Sequence, residues 1–265
     1  MKNLFLITAF LSTVLMGCNN HKSSSVQDNK IGLQEVNNPI PVEFPSLDSL
    51  MISAIIYEIS KDSPVIVLCH QARFNKFEYD GIAQKLNELG FNCIAIDQRS
   101  GGPIGNKINE TSIRAFEEGK ATDYIDAEPD IIAAINYAVA RYGNPIILWG
   151  SSYSSTLALY IAAENDNVAA VVAFSPGNYL SEYKGSLLDV LYGFNKPMFV
   201  TSSKREAEGV KSLLQKVDMN ENQILFEPTG EGHHGSRALW KSQPGGEEYW
   251  IAVNEFLTSI KQTNI

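Results

Sequence analysis

The chain of 265 residues contains only three cysteines and four histidines. Three cysteines are too few for a disulfide scaffold, and their spacing lacks the paired clusters of a zinc site. Positive charge is also scarce. Lys and Arg number 21 against 30 Asp and Glu, giving a formal charge of -9. No basic run interrupts that balance, so binding to nucleic acid has no electrostatic basis. Apolar runs are short: Leu4 to Met16, broken only by Thr8, Ser12 and Thr13, falls well below the ~20 residues a spanning helix needs. What remains is ordinary. A hydrophobic fraction of 44% excludes a disordered or collagen-like chain.

Lys2 followed by that apolar run has the shape of a secretory signal. Leu15-Met16-Gly17-Cys18 then resembles a bacterial lipoprotein box. The resemblance implies that residues 1–17 are removed and that Cys18 is lipidated, palmitate being one such acyl group. It places the protein in a bacterial cell envelope, held at a membrane by its lipid, with the remaining chain outside the cytoplasm and facing the periplasm. Two or more buried acyl chains give stable attachment. The alternative is an ordinary secretory signal with a chance cysteine. Residues 18–40 are polar, with three consecutive serines and few apolar side chains, and are expected to form a flexible tether.

From Pro41 onward the pattern predicts one domain, 41–265. Residues 42–44 and 51–59 read as an antiparallel pair of strands. Continuous apolar runs at 65–69, 93–96 and 145–149 fit strands covered on both faces. Further strands are expected at 168–174, 198–201 and 223–226. Between them, helical spacing runs over 79–89, 131–142, 154–164, 206–215 and 249–260. Gly90 and Gly143 are expected as the C-terminal caps of the first two. The alternation implies an α/β fold: about eight strands in a mostly parallel sheet, an antiparallel edge, and helices on both faces.

Gly150-Ser151-Ser152-Tyr153-Ser154 lies between an expected buried strand and a helix. A serine nucleophile needs a sharp turn there, with small residues two before and two after it. Gly150 and Ser154 meet that need around Ser152, as G-x-S-x-S in place of G-x-S-x-G. A helix capped by serine is the plainer alternative.

Taken with the strand and helix order, residues 45 to 262 resemble the α/β-hydrolase family, especially its dienelactone-hydrolase-like and esterase-like members. The family order is Ser, then Asp or Glu, then His. The resemblance implies an acid in the loop after the strand that follows Pro197. Nine residues beyond that proline stands Glu206, with Glu208 close by. It implies a base in a His-Gly loop, which selects His234 with His233 as the fallback. It also implies two backbone donors for an oxyanion: Tyr153 after the nucleophile, and Ala72 in Cys69-His70-Gln71-Ala72, where Gln71 replaces the family glycine. His70 is assigned a structural role, as are Asp97 and Arg99 in Asp97-Gln98-Arg99-Ser100-Gly101-Gly102.

The expected activity is therefore hydrolysis of a small carboxylic ester through an acyl-enzyme, with no cofactor and no metal. A peptidase, a thioesterase, or a lipid-anchored binding protein on the same fold are the alternatives. Oligomeric state is left open. Only about twenty residues separate Ser175 from Met198, so any lid is short. Its Tyr179, Tyr183, Leu187, Leu188, Leu191, Tyr192 and Phe194 either line an acyl pocket or, for the leucines, pack on the core. Cys69 and Cys93 read as buried small hydrophobes in neighbouring strands, with a disulfide left open.

Overall fold

The computed structural model describes residues 38–262. The expected signal peptide, Cys18 and most of the tether lie outside the described residues. The strands are β1 (Ile40–Pro45), β2 (Met51–Tyr57), β3 (Val65–Cys69), β4 (Asn92–Ile96), β5 (Ile146–Ser151), β6 (Val168–Phe174), β7 (Met198–Thr201) and β8 (Gln223–Phe226). They form one sheet in the order β1-β2-β4-β3-β5-β6-β7-β8. β1 pairs antiparallel with β2, and β2 antiparallel with β4. All other pairings are parallel. Pro41 and Pro45 lie in β1, an edge strand, where a missing N–H need not interrupt a ladder.

Strands β3, β4 and β5 are buried along their whole length, because helices cover both faces. Val65, Val67 and Cys69 pack with α3 (Glu128–Tyr142) and α4 (Tyr153–Glu164). Ile66 and Leu68 point the other way, toward α1 (Ile82–Glu88) and the C-terminal helix Gly246–Gln262. The same period of two decides the cysteine question. Ile66 is opposite Cys93 and Cys69 opposite Ile96. That odd offset sends the two thiols into opposite cores. Both cysteines are free and buried.

Three sequence expectations are corrected. The helix expected over 79–89 is divided. Tyr79 closes a 3-10 turn, Lys76–Tyr79, capped by Asn75, and α1 begins only after Gly81, whose φ of +82° cannot continue a right-handed helix. The helix expected from 206 begins as a 3-10 turn, Lys204–Glu206, before α7 (Ala207–Leu213). The polar segment 103–122, where the sequence pattern predicts no helix, contains α2 (Glu110–Glu117). Asn109 caps it by accepting the Ser112 N–H. Its buried face is only Thr111 and Ala115, too thin a stripe for hydrophobic periodicity to reveal.

The short segment after β6 holds α5 (Ser181–Lys184) and α6 (Leu187–Val190). Leu187 and Leu191 are fully buried in the core, which settles their side of the alternative, while Tyr179, Tyr183 and Tyr192 remain exposed. Among the described residues, no helix is long and apolar enough to cross a membrane. The last helix, α8, is Gly246–Gln262.

Candidate active site

The turn from β5 into α4 puts Ser152 in a strained conformation, φ +60° and ψ -125°. L-residues adopt such angles only when their surroundings enforce them. Part of the enforcement is the Ser152 N–H, which donates to the Phe174 carbonyl at 2.8 Å. Gly150 supplies the space. A Cβ there would stand 2.4 Å from Ser155 Cα and 2.5 Å from the Ser154 carbonyl. Ser154, where the family motif has glycine, is accommodated because its hydroxyl is useful. It accepts the Ser151 N–H at 2.9 Å and lies 2.8 Å from the Cys69 carbonyl. The elbow is thereby tied to the end of β3.

The loops after β7 and β8 converge on this elbow. His234 Nε2 is 2.8 Å from Ser152 Oγ, and its Nδ1 is 2.5 Å from Glu206 Oε1. The second Glu206 oxygen accepts from Ser203 Oγ (2.6 Å), Ser203 N–H (3.2 Å) and Ser175 Oγ (3.0 Å). Burial alone would raise the Glu206 carboxyl. The hydrogen bonds from His234 and Ser203 outweigh it and hold the group down at about 2. Ser175 was not singled out in sequence. It bridges two loops by donating to Glu206 and accepting the Gly235 N–H at 3.0 Å.

The structure thus brings Ser152, Glu206 and His234 together. It leaves Glu208 exposed on α7, beside Lys211. His233 is in neither hydrogen bond of the Ser–His–Glu chain.

Ala72 and Tyr153 lie in the two loops expected to supply an oxyanion site. Among the described residues, neither backbone N–H donates a hydrogen bond. The peptide before Ala72 is clamped. His70 Nε2 accepts the Gln98 N–H at 3.0 Å, so its proton sits on Nδ1, which donates to the Gln71 carbonyl at 2.8 Å. Carbonyl and N–H of a trans peptide point opposite ways, so this bond turns the Ala72 N–H away from His70. Burial pushes the His70 imidazole below its ordinary value, consistent with a neutral ring serving as a brace. The Tyr153 ring stacks on Tyr124 with centroids 4.5 Å apart, and its hydroxyl meets Ser100 Oγ at 2.5 Å.

Charged clamps hold the surrounding loops. Asp97 takes the Lys76 ammonium at 2.7 Å and the Glu110 N–H at 2.9 Å. Arg99 binds Asp130 at 2.6 Å and Asp48 at 2.8 Å. Both are charge-assisted ties between segments far apart in sequence.

One buried carboxylate at the site went unnoticed in the sequence. Glu78 is fully buried. Its Oε2 accepts the Gln71 N–H at 2.7 Å, and its Oε1 the Ser151 hydroxyl at 2.7 Å. Glu78 stands just before the helix expected over 79–89, where an acidic residue ordinarily faces water. Among the described residues, no group of His, Cys, Asp and Glu is arranged to hold a metal ion.

A family model described as the alpha/beta hydrolase fold matches residues 64–264. No curated protein matches the sequence. Among solved structures, the chain is similar to the Pyrococcus furiosus esterase Pf2001, with 22% identity over 83% of this chain and 92% of that one, TM-score 0.65. It is also similar to the alpha/beta hydrolase GrgF from Penicillium, at 16% identity over 83% and 98%, TM-score 0.63. A third is the esterase domain of a Rhodothermus marinus protein, at 16% identity over 84% and 97%, TM-score 0.56.

Proposed function

This chain belongs to the alpha/beta hydrolase fold family, and on that premise we propose that it is a serine hydrolase cleaving a carboxylic ester through an acyl-enzyme. The observation that carries the proposal is the continuous hydrogen-bonded line from Ser152 through His234 to Glu206. Nucleophile, base and orienting acid must stand in that relation for acyl transfer. The names of two fold neighbours, both esterases, agree with an ester substrate.

In the proposed reaction His234 Nε2 takes the Ser152 proton as Oγ attacks the ester carbonyl. Glu206 holds the Nδ1 proton and stabilises the imidazolium that forms. The Ala72 and Tyr153 N–H groups, backed by the N-terminus of α4, receive the developing oxyanion. Collapse expels the alcohol, which takes the proton from His234. Water then repeats the sequence on the acyl-Ser152 ester, releasing the acid and restoring the free serine.

We further propose that lipidated Cys18 holds this domain at a bacterial envelope membrane, outside the cytoplasm. That rests on Lys2, the apolar run and Leu15-Met16-Gly17-Cys18. The catalytic proposal is tested with p-nitrophenyl acetate and a fluorophosphonate label. Wild-type protein should turn over the ester and be modified at Ser152, and Ser152→Ala should do neither. Undiminished turnover by the alanine variant would refute it.

A further inference from the structure

The mechanism above leaves one buried ionisable group at the site unused, and its contacts link the three loops that supply the chemistry. Glu78 Oε2 accepts the Gln71 N–H at 2.7 Å, one residue before the proposed oxyanion donor Ala72. Glu78 Oε1 accepts the hydroxyl of Ser151 at 2.7 Å, one residue before the nucleophile. The Gln71 side-chain amide adds a third bond to the same oxygen at 3.3 Å. The chain continues beyond Ser151. Its oxygen accepts the Ser236 N–H at 2.8 Å, two residues after His234. Gly235 makes room for this. A Cβ at that position would stand 2.6 Å from Ser151 Oγ.

On the serine-hydrolase reading, on which this inference rests, we propose that Glu78 is a positioning residue for the Ser152 reaction. One carboxylate beneath the site sets the spacing of the oxyanion loop, the nucleophile elbow and the base loop. Three donors converge on its two oxygens, the bonding pattern that suits an ionised acid, which has acceptors only. Burial raises the group to about 7 against the hydrogen bonds from Gln71 and Ser151 and the nearby charges of His234 and Arg237. The fold thus keeps an acid where an apolar residue would carry no desolvation cost.

Glutamine is nearly the same shape but cannot make this pattern. If its oxygen faces the Gln71 N–H, its NH2 faces Ser151, whose own proton loses its acceptor. If its oxygen faces Ser151, two N–H donors oppose each other at Gln71. Either way one donor of the network loses its acceptor, and the resulting displacements, near 1 Å in such loops, can cost as much as 100-fold in rate.

The experiment compares wild type, Glu78→Gln and Ser151→Ala. Kinetics with p-nitrophenyl acetate are divided by the number of sites labelled to completion with a fluorophosphonate. A purely structural loss reduces the number of labelled sites and leaves kcat per site unchanged. Glu78→Gln should instead lower kcat per site about tenfold or more, with KM within about threefold of wild type. Ser151→Ala keeps the Gln71 bond and should lower it less, by about threefold to tenfold. A Glu78→Gln loss below about threefold per site overturns the proposal. If that variant yields no labelled sites, Ser151→Ala decides by the same threshold. Wild-type protein that resists the label overturns the serine-hydrolase reading itself, an outcome distinct from labelled variants of unchanged kcat.

Discussion

Replacing Glu206 by glutamine tests the catalytic line more sharply than deleting it, because the structure dictates which way the amide must turn. Three donors, Ser203 Oγ–H, Ser203 N–H and Ser175 Oγ–H, converge on Oε2. The two hydroxyls can rotate, but the Ser203 N–H cannot. Facing it with an NH2 group would leave a donor unsatisfied, at about 1–3 kcal/mol. The amide oxygen therefore takes the Oε2 position, by roughly fivefold to a hundredfold, and the NH2 faces His234 Nδ1. Nδ1 must then accept, which moves the imidazole proton to Nε2, 2.8 Å from Ser152 Oγ. A ring that donates to the serine cannot take its proton. Loss of the negative charge beside the imidazolium adds to the defect, and kcat should fall about 1,000- to 10,000-fold. The assay is ester turnover per active site, with Glu208→Gln as the control. Glu208 is exposed beside Lys211, and that variant should stay within about twofold of wild type. A Glu206→Gln enzyme retaining a tenth of wild-type kcat, or a comparable loss in Glu208→Gln, would refute the reasoning.

The same carboxyl predicts a pH effect on stability. Held at about 2 in the folded chain against an ordinary value of 4.5, it contributes stability that is fully present above pH 4.5. That contribution is lost as pH falls through 2. Melting temperatures of wild type and Glu206→Gln should therefore converge between pH 5 and pH 2; a constant gap would count against the bonded carboxylate. Gly150→Ala should cost about 100-fold or more in turnover, since its Cβ would strike the elbow backbone at 2.4 Å; full activity would show that the elbow is not so constrained. Asp130→Ala takes from Arg99 its fully buried partner, bound at 2.6 Å, and leaves it only the partly exposed Asp48 as a carboxylate partner. Urea unfolding should show a loss of about 1.5–3 kcal/mol, and a loss under about 1 kcal/mol would refute the buried pair. Cys18→Ala should move the protein from the membrane to the soluble fraction and abolish incorporation of labelled palmitate; unchanged partition would remove the anchor.

The sheet was legible because its central strands are covered on both faces. Val65 to Cys69 and Ile146 to Leu148 had to be continuous apolar runs, and few other structures produce that pattern. The elbow was legible for a related reason: the close approach at Gly150 leaves room for no side chain. Glu206 and His234 emerged from chain order and loop wording, and the structure sets them 2.5 Å apart. What escaped was the support. Neither Ser175 nor Ser151 belongs to a spacing rule, because each acts through partners 31 to 85 residues away. α2 escaped because two buried residues make no stripe.

Glu78 was hidden in a more instructive way. The sequence pattern runs a helix from Tyr79 and leaves Glu78 just outside it with no assigned contact, whereas that helix is interrupted by Gly81. That break frees Lys76–Tyr79 to close as a 3-10 turn. In the turn the Tyr79 hydroxyl donates to the Cys69 carbonyl at 2.6 Å and Glu78 reaches the Gln71 N–H. Both contacts land on the same short loop, the one in which Gln71 stands where the family has glycine. The two departures belong together. A glycine backbone can be held by sterics alone, but Gln71 has a side chain that must be placed, and Glu78 binds both its backbone N–H and its amide. It follows that Gln71→Gly should soften the effect of Glu78→Gln, because it removes the side-chain half of the constraint. A double-mutant cycle on kcat per labelled site measures that coupling. Strictly additive losses would show that the glutamine and the buried acid are independent features.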